Sequence, residues 1–327
     1  MVNIIIPVYK ARDTLPRALE SLVCQTTNRF IVTMVVDGDG IDYSDIVEEY
    51  RARGLHITLL TLPENHGAGY ARQYAMDYDA AKPAKSDYYM FLDADDMYFP
   101  HAVQLLTKEI RHSESDIVIA SFIRERNGEF IEFNSSTSAV TWMHGKIYRA
   151  EYLRQNNIRF LEELRYNEDS YFNVVAVNSS KKVARLPAAV YLWRDNPGSV
   201  TQTKEGGTYF SRANSNYIYG QAKGVKKIIE ITGELPADTF AQTCLYIYYA
   251  MMQQEFEKVE DRSYMDELCS LADIPQVQEF FNTGENWIKM VNSSKGGAVI
   301  DEENIIFYQV PFSDWVQQYL VKKKEDN

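Results

Sequence analysis

Cysteine is scarce in this chain: the 327 residues hold 3, Cys24, Cys244 and Cys269, far apart and in no metal-like spacing. That excludes a disulfide scaffold or a thiolate metal cluster and points to reduced thiols in a cytoplasmic protein. Positive charge is also short. With 34 Lys and Arg against 46 Asp and Glu, the formal net charge is −12. A duplex-binding protein needs the opposite sign against phosphate, so nucleic acid is not expected as the main partner. No apolar run approaches the ~20 residues of a membrane span. The opening MVNIIIPVYK enters a strand pattern directly, without a signal-peptide layout. A cytoplasmic protein with no transmembrane segment is expected, with peripheral docking at the inner membrane face left open. Internal repeats and low-complexity tracts are absent. The polar, Gly-rich GSVTQTKEGG at 198–207 reads as a linker or mobile loop.

What is present is an ordinary globular composition, 45% hydrophobic and 24% charged, enough for one large domain and a smaller one, or two of medium size. The 23 tyrosines suit sugar or base stacking, though cores use tyrosine as well. Aliphatic runs at Ile4 to Val8, Phe30 to Val36, Ile57 to Leu62, Tyr88 to Asp93 and Ile117 to Ile119 alternate with helical spacing at Leu15 to Val23, Ile46 to Tyr50, Gly67 to Tyr78 and Ala102 to Ile110. This order predicts an α/β fold with a mostly parallel sheet flanked by helices, whose ligands bind at the carboxyl ends of strands. Val140 to Trp142 and Val183 to Trp193 read as short strands of an antiparallel addition, with a helix including Asp169 to Val177 between them. From Thr208 the periodicity is helical, clearest over Tyr217 to Ile231 and Phe240 to Phe256, with Pro236 and Pro275 as breaks.

Three segments carry candidate chemistry. YYMFLDADD, Tyr88 to Asp96, is a buried strand ending in three carboxylates, the oxygen ligands that Mg²⁺ and Mn²⁺ prefer; a solvated acidic loop before a helix is the other reading. NHGAGYARQYAM, Asn65 to Met76, puts two glycines at a helix start, either to admit an anion to free amides or for tight packing, and it fits neither the dinucleotide nor the phosphate-loop fingerprint. In YNEDSYFNV, Glu168 and Asp169 begin a helix, where they either complement its dipole or supply a general base.

Taken in order, IIIPVYK, VVDG, ENHGAGYARQYAM, FLDADD, MHGKIYR, EDSYF and YLWRDNPGSVT resemble the family-2 inverting glycosyltransferases of GT-A fold, over roughly residues 1–205. The resemblance implies a catalytic domain at 1–205 and a helical region at 206–327 serving the acceptor, an oligomer or docking. It implies that Pro7, Val8, Tyr9 and Asp37 surround the nucleoside, that Asn65, Gly67 and Arg72 line the nucleotide and diphosphate, that Asp93 and Ala94 contact the ribose or donor sugar, that Asp95 binds Mn²⁺ or Mg²⁺, and that Asp169 is the base. His144 is a candidate second ligand. The chain departs from the pattern at Gly38, where the family's second nucleoside Asp usually stands, with Asp39 and Asp42 nearby.

The expected reaction moves a sugar from a nucleoside diphosphate, with UDP expected, to a hydroxyl of a polysaccharide, teichoic acid or lipid-linked glycan. Leaving-group charge would be met by the ion with help from Lys146 or Arg194, and Asp169 would take the acceptor proton during direct displacement. A sugar-nucleotide nucleotidyltransferase would carry a Gly-rich basic loop where PVYKARDTLP stands. Asp93, Asp95 and Asp169 together argue against an inactive scaffold, and the net charge argues against a phage-type enzyme acting on DNA bases. Tyr246, Tyr248 and Tyr249 fall too close together for all to face one core, so part of that group is expected on a binding surface.

Overall fold

The structure, a computed structural model, describes residues 1–135, 141–196, 206–252, 263–282 and 312–320. The chain divides into two compact units, Met1–Thr203 and Lys204–Asn327.

In the first unit, β1 (Val2–Val8), β2 (Phe30–Asp37), β3 (Ile57–Leu62) and β4 (Tyr88–Phe91) are parallel neighbours in the order β3-β2-β1-β4. The bodies of β1, β2 and β4 are almost wholly buried, which is why their sequences are continuous apolar runs without polar alternation. Val8 pairs with Val36 and Ile5 with Phe91, so Tyr9, Asp37 and Asp93 lie together at the carboxyl end of these strands. The helices α1 (Leu15–Val23), α2 (Ser44–Ala52), α3 (Ala68–Ala80) and α4 (Ala102–His112) pack against this sheet. On α1 the buried Leu15, Ala18, Leu19 and Leu22 are the residues whose spacing predicts the helix.

The sheet continues through β5 (Met97–Tyr98), β6 (Ile117–Arg126), β7 (Glu129–Phe133), β8 (Lys146–Arg149) and β9 (Val183–Trp193) in the order β4-β8-β6-β9-β5, with β7 also on β6. Here β8 runs antiparallel to both neighbours, while β6 and β9 are parallel. The expected strand at Val140 to Trp142 is not formed: Thr141 and Trp142 lie in a bend, and Val140 is outside the described residues. The β6–β7 hairpin turns on Asn127 and Gly128, with φ of 52° and 79°. Asn-Gly is the strongest two-residue hairpin signal, since both positions need positive φ. Two further helices follow, α5 (Ala150–Gln155) and α6 (Glu168–Asn178), the latter against α3.

The second unit is helical: α7 (Gly206–Thr232), α8 (Ala237–Met252), α9 (Ser263–Cys269), a 3₁₀ turn at Ser270–Asp273, α10 (Pro275–Asn282) and α11 (Phe312–Tyr319). Its core is built on Ile218, Val225, Phe240, Leu268, Val277 and Leu320. Tyr248 belongs to that core, whereas the side chains of Tyr246 and Tyr249 lie outside the described residues, as do 198–205 of the linker segment. No helix among the described residues is long and apolar enough to cross a membrane.

Candidate active site

At the end of β2 the Asp37 carboxylate is buried and accepts hydrogen bonds from Asn65 Nδ2 at 2.9 Å, His66 N at 2.8 Å and Gly67 N at 2.7 Å. Its charge therefore organises the loop into α3 as well as lying at the expected nucleoside edge. Gly67 takes φ of 95° as it enters the helix, a backbone conformation that L side chains rarely adopt. Gly38 explains the departure from the family pattern. Its φ is 61°, and a Cβ there would lie 2.1 Å from the Glu64 carbonyl carbon. The neighbouring Asp39 instead ties down the loop after β1, accepting from Lys10 N at 2.7 Å, Ile41 N at 2.9 Å and the Tyr43 hydroxyl at 2.8 Å. Pro7 is half-buried and Val8 buried, while Tyr9 is exposed.

After β4 the chain turns through the acidic segment. Arg72, buried on α3, donates to Asp93 Oδ1 at 2.6 Å and to Glu168 Oε1 at 2.9 Å. Burial would raise the Asp93 carboxyl, but the Arg72 guanidinium outweighs it and holds it below the usual range. Ala94 is buried beside it. Asp95 points elsewhere: its Oδ2 accepts from Asn196 Nδ2 at 2.8 Å, and burial raises its pKa. Asp96 is buried, accepting from the Tyr191 hydroxyl at 2.7 Å and Arg194 N at 2.8 Å; burial, then Asp93 and Asp95, push its carboxyl well up.

Ligand atoms of Asp93, Asp96 and His144 all lie within 4.8 Å of one another. His144 is buried, its Nδ1 has no hydrogen-bond partner, and burial pushes its pKa down to about 3. The imidazole is thus neutral at physiological pH, its ligand form. A neutral imidazole with a ring nitrogen within reach of two carboxylates fits a divalent ion. The mixed nitrogen and oxygen set suits Mn²⁺ better than Mg²⁺, which favours oxygen alone. Asp95, to which the resemblance gives the metal, is not one of the three.

Asp169 follows Glu168 in the first turn of α6, where Asn167 takes a left-handed conformation. Burial first, then the Glu168 charge, raises its pKa to about 7. A carboxyl there is poised to exchange a proton near neutral pH. The two cations expected near the diphosphate are engaged elsewhere. Lys146 is fully buried, with Nζ donating to the Trp142 carbonyl and, at 3.4 Å, to that of His144; burial lowers its pKa to about 7. Arg194 faces Glu125, with Nε 3.1 Å from Oε2. The structure thus brings Arg72, Asp93 and Glu168 together beside Asp169, and holds Lys146 and Arg194 as supports of the surrounding loops. Sequence reasoning missed Tyr191, Asn196 and the Arg72–Glu168 pair. Tyr191 and Asn196 lie inside the YLWRDNPGSVT segment, whose polar residues after a strand were the available signal.

The sequence matches the family model described as glycosyl transferase family 2 over residues 3–169. It is 26% identical over 223 residues to "Uncharacterized glycosyltransferase EpsJ" of Bacillus subtilis, covering 62% of this chain and 63% of that protein. It is 27% identical over 197 residues to the poly(ribitol-phosphate) beta-glucosyltransferase of Bacillus spizizenii, covering 56% of this chain and 30% of that one. The chain therefore spans less than two thirds of the length of these relatives. Among solved structures, S. aureus TarS 1–349 in complex with UDP-GlcNAc superposes with a TM-score of 0.64 at 18% identity, covering 89% of this chain and 88% of that one. The mannosyltransferase PcManGT from Pyrobaculum calidifontis, in complex with GDP-Man and Mn²⁺, gives 0.52 at 15% identity, covering 98% and 84%. The fold is that of the GT-A enzymes, and with half of its sequence matched by the family model the chain belongs to glycosyl transferase family 2.

Proposed function

We propose that this chain transfers a sugar from a nucleoside diphosphate, UDP being the expected nucleotide, to a hydroxyl of a teichoic acid or related surface glycan, with inversion. The observation that carries this reading is the Arg72 bridge. One buried guanidinium joins Asp93, on the donor edge of the sheet, to Glu168, the neighbour of Asp169. Donor-side acid and candidate base are thereby fixed to one rigid element. UDP is supported by the complexes of TarS, and the acceptor class by relatives named as poly(ribitol-phosphate) transferases.

In this reading the loop held by Asp37 and Asp39 receives the nucleoside, with Pro7, Val8, Tyr9, Asn65 and Gly67 at its rim. Asp93, Asp96 and His144 would hold a divalent ion, with Asp95 next to them. Such an ion supplies neutralising charge to a leaving diphosphate. Asp169 accepts the proton of the acceptor hydroxyl as attack proceeds, and no covalent nucleophile is required. Arg72 keeps Asp93 ionised and in place. The test is a donor panel: UDP-, GDP- and TDP-sugars are incubated with the protein and Mn²⁺, and nucleoside diphosphate is measured. Release from one donor class, lost in Asp93→Asn, supports the reading; no release from any donor, with or without teichoic acid as acceptor, rejects it.

A further inference from the structure

The cations around the acidic turn are not equally engaged. Arg72 is committed to Asp93 and Glu168, Arg194 pairs with Glu125, and Lys146 is buried on two backbone carbonyls. Arg17 differs. It stands on α1, and its Nη2 donates to the Asp95 carbonyl oxygen at 3.3 Å. Its Nε is buried with no hydrogen-bond partner, and among the described residues it forms no ion pair with any carboxylate. A half-buried guanidinium with an orphaned N–H has lost hydration without gaining a counter-ion, which is unfavourable unless an anion completes it. Its planar fork is matched to phosphate, to which it can donate two parallel hydrogen bonds. Its contact with the Asp95 backbone places that fork against the acidic turn, where the repulsion of Asp93, Asp95 and Asp96 for a diphosphate most needs offsetting.

We infer that Arg17 is a phosphate-binding residue of the donor site, meeting the β-phosphate of the nucleoside diphosphate and the charge it gains as the sugar leaves. This rests on the donor reading above and assigns to Arg17 the role that sequence reasoning gave to Lys146 and Arg194. The rival reading is structural: Arg17 only ties α1 to the acidic turn through the Asp95 carbonyl. Arg17→Gln separates the two, because glutamine can still donate to that carbonyl but carries no charge.

The experiment is calorimetric titration of wild type, Arg17→Gln and Arg17→Lys with UDP, GDP, UMP and GMP in Mn²⁺ buffer, with melting temperatures recorded alongside. For the diphosphate that wild type binds, Arg17→Gln should weaken affinity about 10- to 100-fold, as expected for loss of a charge-assisted contact. The matching monophosphate should change less than about threefold, Arg17→Lys should recover most of the loss, and all melting temperatures should agree. Unchanged diphosphate affinity, or equal losses for mono- and diphosphate, would overturn the assignment while leaving the donor reading intact. If Arg17→Gln fails to fold, the apolar Arg17→Met decides: diphosphate affinity lowered about 10- to 100-fold with monophosphate affinity retained supports the role, and unchanged affinity or equal losses overturn it. Wild-type protein that binds neither UDP nor GDP would remove both the assignment and the donor reading.

Discussion

Replacing Asp169 with Asn should change rate and stability in opposite directions. The native carboxyl has its pKa raised to about 7 by burial and by Glu168. A base of that pKa is about one-tenth ionised at pH 6 and about nine-tenths at pH 8, so wild-type turnover should rise roughly ninefold between them. The Asn variant keeps the shape but cannot accept the proton, and its rate should fall roughly 10²–10⁴-fold with no such rise. Donor affinity should hold, since the proposed base acts on the acceptor and not on the nucleotide. For stability the sign is set by proton binding. The folded carboxyl holds its proton to about pH 7, while an unfolded Asp releases it near ~3.9. Stability is therefore lost as pH rises from about 4 to about 7, by at most about 4 kcal/mol from the size of the shift. Asp169→Asn escapes that loss, so its melting temperature should exceed that of wild type at pH 8, and the difference should shrink toward pH 4. Initial-rate profiles and thermal melts across this range test both halves. A wild-type rate flat from pH 6 to 8, or near-normal transfer by the variant, would refute the assignment and make Glu168 the next candidate.

Other substitutions probe the supports of the site. Arg72→Met leaves the Asp93 and Glu168 charges uncompensated, and chemical denaturation should show a loss of about 3–5 kcal/mol at pH 7; a change under about 1 kcal/mol would mean that the bridge does not hold the site together. Gly38→Ala must relieve a Cβ contact of 2.1 Å with the Glu64 backbone at a φ of 61°. It should cost about 1–3 kcal/mol and weaken UDP binding, and a fully stable variant would contradict the packing of that loop. Donor binding should depend on Mn²⁺. In calorimetry of UDP with and without the ion, His144→Gln and Asp93→Asn should lose most of the metal-dependent gain. Asp95→Asn reports whether the acid that the resemblance favours also contributes, and equal UDP affinity with and without Mn²⁺ in wild type would dismiss the metal.

Much of the sheet was legible because its strands are buried on both faces, and burial forces continuous apolar runs such as Ile4 to Val8 and Phe30 to Val36. The carboxyl-edge placement of Asp37 and Asp93 followed from strand polarity alone. Harder to read was the antiparallel half. β8 is 4 residues long and lies inside a motif that reads as chemistry, and β5 has 2 residues, too few for any periodicity. The β6–β7 hairpin could have been found from Asn127-Gly128. Within the site, residue identities were visible but partnerships were not. Arg72 and Glu168 lie 96 positions apart, and nothing in local sequence tells which carboxylate a buried arginine will meet. The same limit applies to Lys146 and Arg194. Sequence shows a cation near an acidic motif, whereas packing decides whether that cation faces a ligand, a carbonyl or another side chain.

Direct displacement at a nucleoside-diphosphate sugar inverts the anomeric carbon, so the anomer formed first is the decisive observable. The donor that the panel shows to be consumed would be incubated with the protein and Mn²⁺, and the released or transferred sugar followed by ¹H NMR before mutarotation. An α-linked donor should give the β-anomer first, and Asp169→Asn should form it roughly 10²–10⁴-fold more slowly. First appearance of the α-anomer would contradict direct displacement.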